Sequence, residues 1–250
     1  MKILGIIPSR YQSTRFPGKP LAKIGSKTMV HRVYEQAKKA FDDVLVATDN
    51  NLIFNEVESF GGCPVMTSEN HQSGTDRCAE AAKEYSKKTG KTFDVVVNIQ
   101  GDEPFIKPEQ LKLLAESFQD KNVDISTLIK KFGNQEEVFN ENAVKVVKSI
   151  NDYALYFSRF PIPFQRGVET KDWALRHEYF KHIGVYAYRY DILQKITLLK
   201  QSSLELTEKL EQNRWLENGY KIKVCRTDFQ SLAVDTPEDL KKIIETMDFD

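Results

Sequence analysis

Three cationic side chains follow the first apolar segment of the chain, and their types suit phosphate binding. Arg10, Arg15 and Lys19 lie in the stretch IPSRYQSTRFPGKPL, which contains no acidic residue. Arg can bind two phosphate oxygens at once, whereas Lys supplies a compact point charge. The stretch is not a Walker A loop, because Ser13 and Pro20 replace the Gly and the Ser or Thr that such a loop requires. We predict a triphosphate-binding loop, and the alternative is a solvated surface loop with ordinary charges.

Two carboxylates stand where they could bind a metal ion. Asp102 follows an apolar run in VVVNIQGDEP, and Asp235 follows another in AVDTPEDL. Mg²⁺ is bound by one or two carboxylates and fills its remaining positions with substrate phosphates and water. Each acid could instead cap the helix that comes after it. If both carboxylates face the cationic loop, they form a two-carboxylate magnesium site.

A third motif, HQSGTDR, introduces a helix. It runs from His71 to Arg77, and Gly74 with its polar neighbours precedes the helical pattern. The N–H groups at a helix N-terminus can bind an anion or the edge of a base. Residues of these types also form ordinary helix caps, so the motif alone does not distinguish a binding site from a cap.

The charge balance limits the partners of the chain. Its 250 residues include 36 Lys and Arg and 36 Asp and Glu, which gives a formal net charge of zero. A neutral chain is not typical of proteins that bind nucleic acid or membrane surfaces broadly. Residues 1–34, however, contain seven cations and no acid. This local excess favours a small anionic ligand, and we expect neither a nucleic-acid nor a membrane partner.

Cysteine and histidine usage indicates neither a disulfide framework nor a zinc site. The three cysteines lie far apart without a C-x-x-C pair, and the four histidines lack the spacing of zinc ligands. The apolar run at residues 3–7 is too short for a signal peptide, and no run approaches the length of a membrane span. We therefore expect a soluble protein in a reducing compartment, the cytoplasm.

The elements that must position these groups alternate along the first half of the chain. Short runs rich in Val and Ile alternate with amphipathic segments, which is typical of a parallel sheet covered on both faces. The predicted strands are KILGII, DVLVAT, CPVM and DVVVNI, and the predicted helices include residues 28–40 and 74–88. Ligands of such sheets lie beyond the carboxyl ends of the strands, so the loops after these strands should face one crevice.

The second half of the chain predicts a different arrangement. Residues 143–149, 153–159 and 182–189 are aromatic-rich strand candidates with short connections, which favours a mixed or antiparallel extension. Residues 203–219 predict one amphipathic helix, and Thr236 predicts the cap of a last helix. The predicted fold class is α/β: a doubly wound, mostly parallel nucleotide-binding sheet with a mixed-strand inserted lobe.

The domain boundaries follow from this change of pattern. Because no linker or low-complexity segment interrupts the chain, we expect a single domain over residues 1–250. Within it, the nucleotide-binding part covers about residues 1–125 and 225–250. The inserted lobe covers about residues 126–224.

Nine motifs resemble those of a known family, in the same order along the chain. They are IPSRYQSTRFPGKPL, VATDN, HQSGTDR, NIQGDEP, NAVKVV, ALYFSR, HIGVYAYR, LEQNRWLENG and VDTPEDL. The motifs are similar to those of the 3-deoxy-manno-octulosonate cytidylyltransferases, also called CMP-Kdo synthetases, from about residue 3 to residue 245. The resemblance implies a Mg²⁺-dependent transfer of CMP from CTP to the anomeric hydroxyl of 3-deoxy-D-manno-octulosonate (Kdo). Pyrophosphate would be released, and the product would serve bacterial lipopolysaccharide biosynthesis.

The resemblance also implies roles for individual residues. The catalytic and phosphate-binding set, in which the two acids hold Mg²⁺, is Arg10, Arg15, Lys19, Asp102 and Asp235. The cytidine contacts would be made by Ser73, Arg77 and Gln100, in addition to the phosphate-binding cations. The sugar acid would contact Arg159, Arg166, His182, Tyr186, Glu211 and Gln212. Tyr186 could instead be a packing residue, because tyrosines alternate through these strands.

Two rival functions stay open. Another sugar acid, sialic acid or 8-amino-Kdo, could be the acceptor, because the motifs of the first half do not distinguish these substrates. A non-catalytic regulator would bind CTP without releasing pyrophosphate, but it would not need both Asp102 and Asp235. The general base is left open between Asp235 and the metal ion. The family is typically homodimeric, so the resemblance implies a homodimer. It also implies that the inserted lobe serves sugar binding and dimerisation.

Overall fold

The computed structural model of the chain describes residues 1–13, 15–133, 135–229 and 232–246, without the side chains of residues 135 and 136. It divides into two compact units: unit 1 contains Met1–Ala115 and Ser231–Asp250, and unit 2 contains Glu116–Gln230. The predicted cationic loop includes position 14, which lies outside the described residues. None of the helices in these ranges is both long and apolar enough to cross a membrane.

Strands and helices alternate along the chain. From residue 1 to residue 116 the elements are β1 (Ile3–Ser9), β2 (Lys23–Ile24), β3 (Lys27–Thr28), α1 (Met29–Lys38), β4 (Asp43–Thr48), α2 (Asn51–Ser59), β5 (Pro64–Met66), α3 (Gly74–Thr89), β6 (Val95–Asn98) and α4 (Pro108–Glu116). The later elements are β7 (Ile125–Lys131), α5 (Gln135–Phe139), β8 (Lys145–Lys148), β9 (Ala154–Ser158), α6 (Trp173–Arg176), β10 (Phe180–Arg189), α7 (Tyr190–Ile196), α8 (Ser203–Glu208), α9 (Glu211–Glu217), β11 (Ile222–Arg226) and α10 (Pro237–Thr246). Short 3₁₀ helices cover Lys19–Leu21, Ser117–Gln119 and Thr170–Asp172.

Unit 1 is built on a parallel sheet with the strand order β6-β1-β4-β5. β1, β4 and β6 are apolar runs that are buried almost throughout, without alternation between buried and exposed residues. Continuous burial is expected for strands that are covered on both faces. Helices α1, α2 and α3 connect these strands and pack against them. The predicted α/β fold with a mostly parallel sheet is confirmed.

A close contact at Gly101 joins the carboxyl ends of β1 and β6. These strands are neighbours in the sheet, and the loop after β6 passes directly over the end of β1. A Cβ atom at position 101 would lie 2.9 Å from the carbonyl oxygen of Pro8 and 3.2 Å from Oγ of Ser9. Glycine is required here for the close approach of two backbones. The contact fixes the loop that carries Asp102 against the strand that leads to Arg10.

Gly101→Ala is expected to destabilise unit 1, because the added methyl group would contact the backbone oxygen of Pro8. Overpacking of this kind lowers the free energy of unfolding by about 1–3 kcal/mol. Urea unfolding of both proteins measures the difference. Gly133→Ala is the matched control, since no atom lies within 4 Å of its added Cβ. Equal unfolding midpoints for Gly101→Ala and the wild type would show that the loop after β6 can move away from the end of β1 without loss of stability.

Unit 2 contains a mixed sheet. β11 pairs with β7 in parallel, whereas the pairs β7–β10, β10–β8 and β8–β9 are antiparallel. The predicted mixed arrangement of the second half is therefore confirmed. In β10 the register shifts between Ile183 and Tyr186, opposite Leu128 and Thr127 of β7. Such a bulge leaves backbone groups outside the ladder, and these groups need other partners.

The single helix predicted over residues 203–219 is wrong, because the chain forms the two shorter helices α8 and α9. Lys209 ends α8 in a left-handed conformation with a φ of 55°. Leu210 then lies at the N-cap position of α9 and is buried, whereas Leu204 and Leu206, which with Leu210 form the apolar pattern of the predicted helix, are 36% and 46% exposed. The helix breaks so that Leu210 reaches the core, and helical periodicity in the sequence does not carry this information.

Candidate active site

Unit 1 has a polar cleft with a volume of about 270 Å³ at the carboxyl ends of β1 and β6. It is lined by all the residues predicted to contact the triphosphate, the metal ion and cytidine: Arg10, Arg15, Lys19, Ser73, Arg77, Gln100, Asp102 and Asp235. The residues come from the loops after β1 and β6, the start of α3 and the segment before α10. The structure thus brings one predicted set together, while the role of each residue stays a prediction.

Lys19 lies at the centre of the charged groups in this cleft. Its Nζ donates a hydrogen bond to Oδ2 of Asp102 at 2.8 Å and lies 3.8 Å from Oδ1 of Asp235. The same Nζ donates to the carbonyl oxygen of Val234 at 3.0 Å. Because only 16% of the Lys19 side chain is exposed, water screens these interactions weakly. The cation predicted to bind phosphate therefore also joins the two acids predicted to bind the metal ion.

The two arginines of the loop have different surroundings. Nη2 of Arg15 donates to Oδ1 of Asp235 at 3.0 Å, and 64% of the Arg15 side chain is exposed. An exposed ion pair contributes only about 0–1 kcal/mol, so Arg15 can exchange this carboxylate for a phosphate with little loss of stability. Arg10 is exposed and forms no ion pair with any residue that the structure describes. Both guanidinium groups are therefore available to an anionic ligand.

Backbone and apolar contacts fix the segment that carries Asp235. The backbone N–H of Val234 donates to the carbonyl oxygen of Asp102 at 2.9 Å. The side chain of Val234 is fully buried in a cluster with apolar residues of β2, α1 and α10. Burying a valine contributes about 1.5–3 kcal/mol. This segment therefore holds the carboxylate of Asp235 near that of Asp102 without relying on their charges.

The cap of α10 leaves Asp235 free to face the cleft. The hydroxyl of Thr236 accepts from the N–H of Asp239 at 3.2 Å, as the predicted cap requires. The Thr236 hydroxyl and the N–H groups of Thr236 and Asp235 all donate to the Asp239 carboxylate. Burial alone would raise the pKa of Asp239, but these hydrogen bonds hold the pKa below its usual value. Thr236 and Asp239 thus complete the helix N-terminus between them.

Ser73 and Arg77 stabilise the start of α3. Oγ of Ser73 accepts from the N–H of Asp76 at 3.1 Å, which leaves the hydroxyl proton to be donated to a ligand. Arg77 is buried, and its guanidinium donates to Oγ1 of Thr67 and to Oδ2 of Asp49, both at 2.6 Å. Asp49 follows β4, so Arg77 connects the loop after that strand to α3. Besides its predicted contact with cytidine, Arg77 therefore holds the wall of the cleft.

Two polar residues next to the cleft were missed by the sequence analysis. Ser9 and Asn98 are buried at the carboxyl ends of β1 and β6. Oγ of Ser9 and Oδ1 of Asn98 have no hydrogen-bond partner among the described residues. Because buried polar atoms are normally paired, an unpaired oxygen indicates a ligand or a water molecule. A polar residue at the end of an apolar strand is the sequence signal that could have identified both.

Asp102 and Asp235 fit a magnesium ion bound together with phosphates. In the described part of the chain, no group of three or more His, Cys, Asp or Glu side chains is arranged to hold a metal ion. Mg²⁺ does not need such a group, because one or two carboxylates suffice when phosphates and water complete its coordination. Both acids already share a positive charge, the ammonium of Lys19. The donor set is therefore suitable for Mg²⁺ only when a ligand supplies further oxygens.

Three of the predicted sugar-binding residues, His182, Tyr186 and Glu211, lie together in unit 2, and a fourth, Gln212, follows Glu211 on α9. His182 and Tyr186 of β10 have ring centroids 5.3 Å apart, and Tyr186 packs against Trp215 of α9 at 5.2 Å. Burial and the negative charge of Glu211 raise the pKa of the Tyr186 hydroxyl well above its usual value. Gln212 is also buried, and its Nε2 has no partner among the described residues. As at Ser9 and Asn98, the unpaired amide indicates a ligand or a water molecule at this position.

Arg159 is held by backbone oxygens. Its Nε donates to the carbonyl of Glu208 at 2.8 Å and its Nη1 donates to the carbonyl of Glu141 at 3.2 Å. The buried ammonium of Lys145 in turn donates to the carbonyl oxygen of Arg159 at 2.5 Å. Burial lowers the pKa of Lys145 to about 8, although Glu208 opposes this effect. Arg166 is exposed, and no contact in the described residues joins it to this group.

Acid should destabilise the wild type more steeply than a His182→Gln variant. Burial lowers the pKa of His182 from 6.5 to about 3 in the folded chain. Between these values only the unfolded chain takes up the proton, so the free energy of unfolding falls as the pH falls. The difference in slope is at most about 1.4 kcal/mol per pH unit, the value for one proton. Urea unfolding between about pH 4 and 7 measures it, and equal slopes would place the His182 pKa near 6.5 in both states.

Comparisons with known proteins identify the family of the chain. A family model described as Cytidylyltransferase matches residues 4–222. The 3-deoxy-manno-octulosonate cytidylyltransferase of Bacteroides thetaiotaomicron is 57% identical over 244 residues, which cover 96% of each protein. That of Parabacteroides distasonis is 54% identical over 248 residues, which cover 98% of this chain and 97% of the relative. A solved structure of CMP:2-keto-3-deoxy-manno-octonic acid synthetase complexed with CTP matches with a TM-score of 0.88 and 38% identity, over 98% of both chains. The chain belongs to the 3-deoxy-manno-octulosonate cytidylyltransferase family.

Proposed function

We propose that this chain transfers CMP from CTP to the anomeric hydroxyl of Kdo and releases pyrophosphate. The observation that carries the proposal is the cleft of unit 1, where one largely buried ammonium, that of Lys19, lies between two carboxylates and beside exposed arginines. A triphosphate with a divalent cation matches this distribution of charge. The curated relatives with the same acceptor in their names support Kdo as the acceptor.

Binding and charge stabilisation account for most of the catalysis. The anomeric hydroxyl attacks the α-phosphate of CTP in line, and pyrophosphate leaves with its negative charge. Arg10, Arg15 and Lys19 are proposed to bind the triphosphate and to take up the charge that develops on the leaving group. Lys19 would exchange its hydrogen bond to Asp102 for one to phosphate oxygen, which frees that carboxylate.

Asp102 and Asp235 are proposed to hold Mg²⁺ next to the triphosphate. When bound, the ion lowers the proton affinity of the attacking hydroxyl and neutralises phosphate charge. Asp235 is also a candidate general base. Its side chain is 44% exposed, and its carboxylate can accept the proton of the attacking hydroxyl. Ser73, Arg77 and Gln100 are proposed to contact cytidine, with the Ser73 hydroxyl as the donor.

The sugar acid is proposed to bind in unit 2. Neutral His182, the Tyr186 hydroxyl and the amide of Gln212 offer hydrogen bonds to sugar hydroxyls. The carboxylate of Kdo needs a cation, which Arg159 supplies here with Arg166 as a second candidate. CMP-Kdo would be made in the cytoplasm, where CTP is available, and used for bacterial lipopolysaccharide.

A homodimer is the proposed assembly. Unit 2 carries several large apolar side chains that are exposed in the single chain, among them Leu155, Phe160, Phe164 and Leu175 at 63%, 68%, 73% and 83%. Apolar surface on this scale favours a protein partner. Light scattering of the purified chain gives its mass, and a monomer at micromolar concentration would contradict the proposal.

Pyrophosphate release tests the function directly. The chain is incubated with CTP and one acceptor, either Kdo, sialic acid or 8-amino-Kdo, with Mg²⁺ and with a chelator. We expect release with Kdo and Mg²⁺ and none with the chelator. Release only with another sugar acid would support the proposed CMP transfer but show that Kdo is not the acceptor. Tight CTP binding without release for any acceptor would indicate a regulator.

A further inference from the structure

The imidazole of His182 lies beside a hydroxyl on the neighbouring strand. Oγ1 of Thr127 lies 3.0 Å from Nε2 of His182, 2.8 Å from the carbonyl oxygen of Val185 and 3.2 Å from that of Ile183. Thr127 is fully buried in β7, opposite the register shift of β10. Its hydroxyl therefore replaces the ladder partner that the bulge removes from these carbonyls.

The single proton of this hydroxyl can be assigned. A threonine hydroxyl has one proton to donate and two lone pairs. Two carbonyl oxygens, which can only accept, lie within reach, and the shorter contact is that to Val185. The Tyr186 hydroxyl also interacts with the Thr127 side chain, and it can donate to a lone pair of Oγ1. If Thr127 donated to the imidazole instead, its lone pairs would face both carbonyls at close range. The proton therefore goes to Val185, and Nε2 of His182 must donate to Thr127.

The other ring nitrogen is then an acceptor. Nδ1 of His182 forms no hydrogen bond with any residue that the structure describes, and the residue as a whole is half-buried. Phe157 packs against the ring with its centroid at 5.0 Å, and Tyr186 lies on another side at 5.3 Å. Burial also lowers the pKa of His182 to about 3, so the ring is neutral at physiological pH. A lone pair in this position attracts an O–H donor and repels a carboxylate.

We propose that Thr127 is a positioning residue that holds His182 as the Nε2–H tautomer, so that Nδ1 accepts a hydrogen bond from a hydroxyl of the acceptor sugar. The inference rests on the proposed function for the identity of the ligand. In this arrangement His182 binds a hydroxyl of the sugar, and Arg159 or Arg166 binds its carboxylate. Thr127 itself does not touch the substrate, because it is fully buried behind the imidazole.

The first test is nitrogen NMR of the ligand-free chain labelled at its histidines, of which there are four. His182→Gln identifies the resonances of His182 by their loss. We expect the Nε2–H tautomer in the wild type and in Thr127→Ser, and a shift towards the Nδ1–H tautomer in Thr127→Val. A wild-type imidazolium or Nδ1–H ring at pH 7 overturns the inference, as does an unchanged tautomer in Thr127→Val. If Thr127→Val fails to fold, the wild-type tautomer and Thr127→Ser still decide.

The second test is kinetic. Thr127→Val should raise the KM for Kdo by about tenfold, the effect of one weakened hydrogen bond, and leave the KM for CTP unchanged. Thr127→Ser should restore the wild-type KM. Equal changes in both KM values would indicate general structural damage and count against the inference. Because the NMR measurement needs no substrate, failure of the proposed function and failure of this inference appear in different experiments.

Discussion

Asp102→Asn is expected to reduce the rate of CMP transfer at least about a hundredfold, or roughly 2.7 kcal/mol of transition-state stabilisation. The amide keeps the shape of the carboxylate but removes the charge that faces Lys19 at 2.8 Å. A neutral oxygen is a weak ligand for Mg²⁺, so the ion concentration needed for half-maximal rate should rise as well. Initial rates of pyrophosphate release over a Mg²⁺ series, at saturating CTP and Kdo, measure both effects.

The fold should survive this substitution. The backbone carbonyl of Asp102, which accepts from Val234, is unchanged, and the side chain is 28% exposed on the cleft. Unfolding in urea is therefore expected near the wild-type midpoint. Asp42→Asn is the matched control, because Asp42 is an exposed acid of unit 1 that does not line the cleft. A wild-type rate for Asp102→Asn in a folded protein would remove Asp102 from the metal site.

Lys19→Ala should weaken the binding of CTP far more than the binding of Kdo, and the KM for CTP should rise by about tenfold to a hundredfold. A hydrogen bond between a charged donor and phosphate contributes about 1.5–3 kcal/mol, which corresponds to that range. The variant also leaves the carboxylates of Asp102 and Asp235 without the ammonium that now lies within 4 Å of both. Steady-state kinetics with each substrate varied in turn separates the two KM values.

Two variants keep this result interpretable. Lys23→Ala removes an exposed lysine of β2 and should change neither KM value. Lys19→Met keeps the apolar stem of the side chain and loses the charge with its hydrogen-bond donors, so it should weaken CTP binding as much as alanine does. If Lys19→Met binds CTP like the wild type, Lys19 is a structural ion pair and no phosphate ligand.

The elements of unit 1 and the position of its cleft could be predicted from local sequence patterns. Apolar runs such as DVLVAT and DVVVNI are unbroken because both faces of the strands are buried, and a parallel sheet gathers the following loops at one edge. The sequence alone therefore predicts Arg10 and Gln100 in the same crevice, and both line the cleft in the structure.

The charge pairing inside the cleft could not be predicted in this way. Arg15 and Asp235 are 220 positions apart and meet only through the tertiary fold. The motifs predict that both acids face the cationic loop, but they carry no sign that one ammonium lies between the two carboxylates. The break at Lys209 was missed for a similar reason, since burial of the next residue outweighs the local preference for helix.

The discontinuity of unit 1 has a consequence for the order of synthesis. The chain enters unit 1 at its start, leaves it after Ala115 and returns to it only at residue 231. During translation the amino-terminal part emerges first. The contacts of Lys19 with Val234 and Asp235 can form only after the whole of unit 2 has been synthesised. A nascent chain that has not yet reached residue 234 exposes the apolar pocket of β2 and α1. The cleft of unit 1 is therefore one of the last parts of the protein to form.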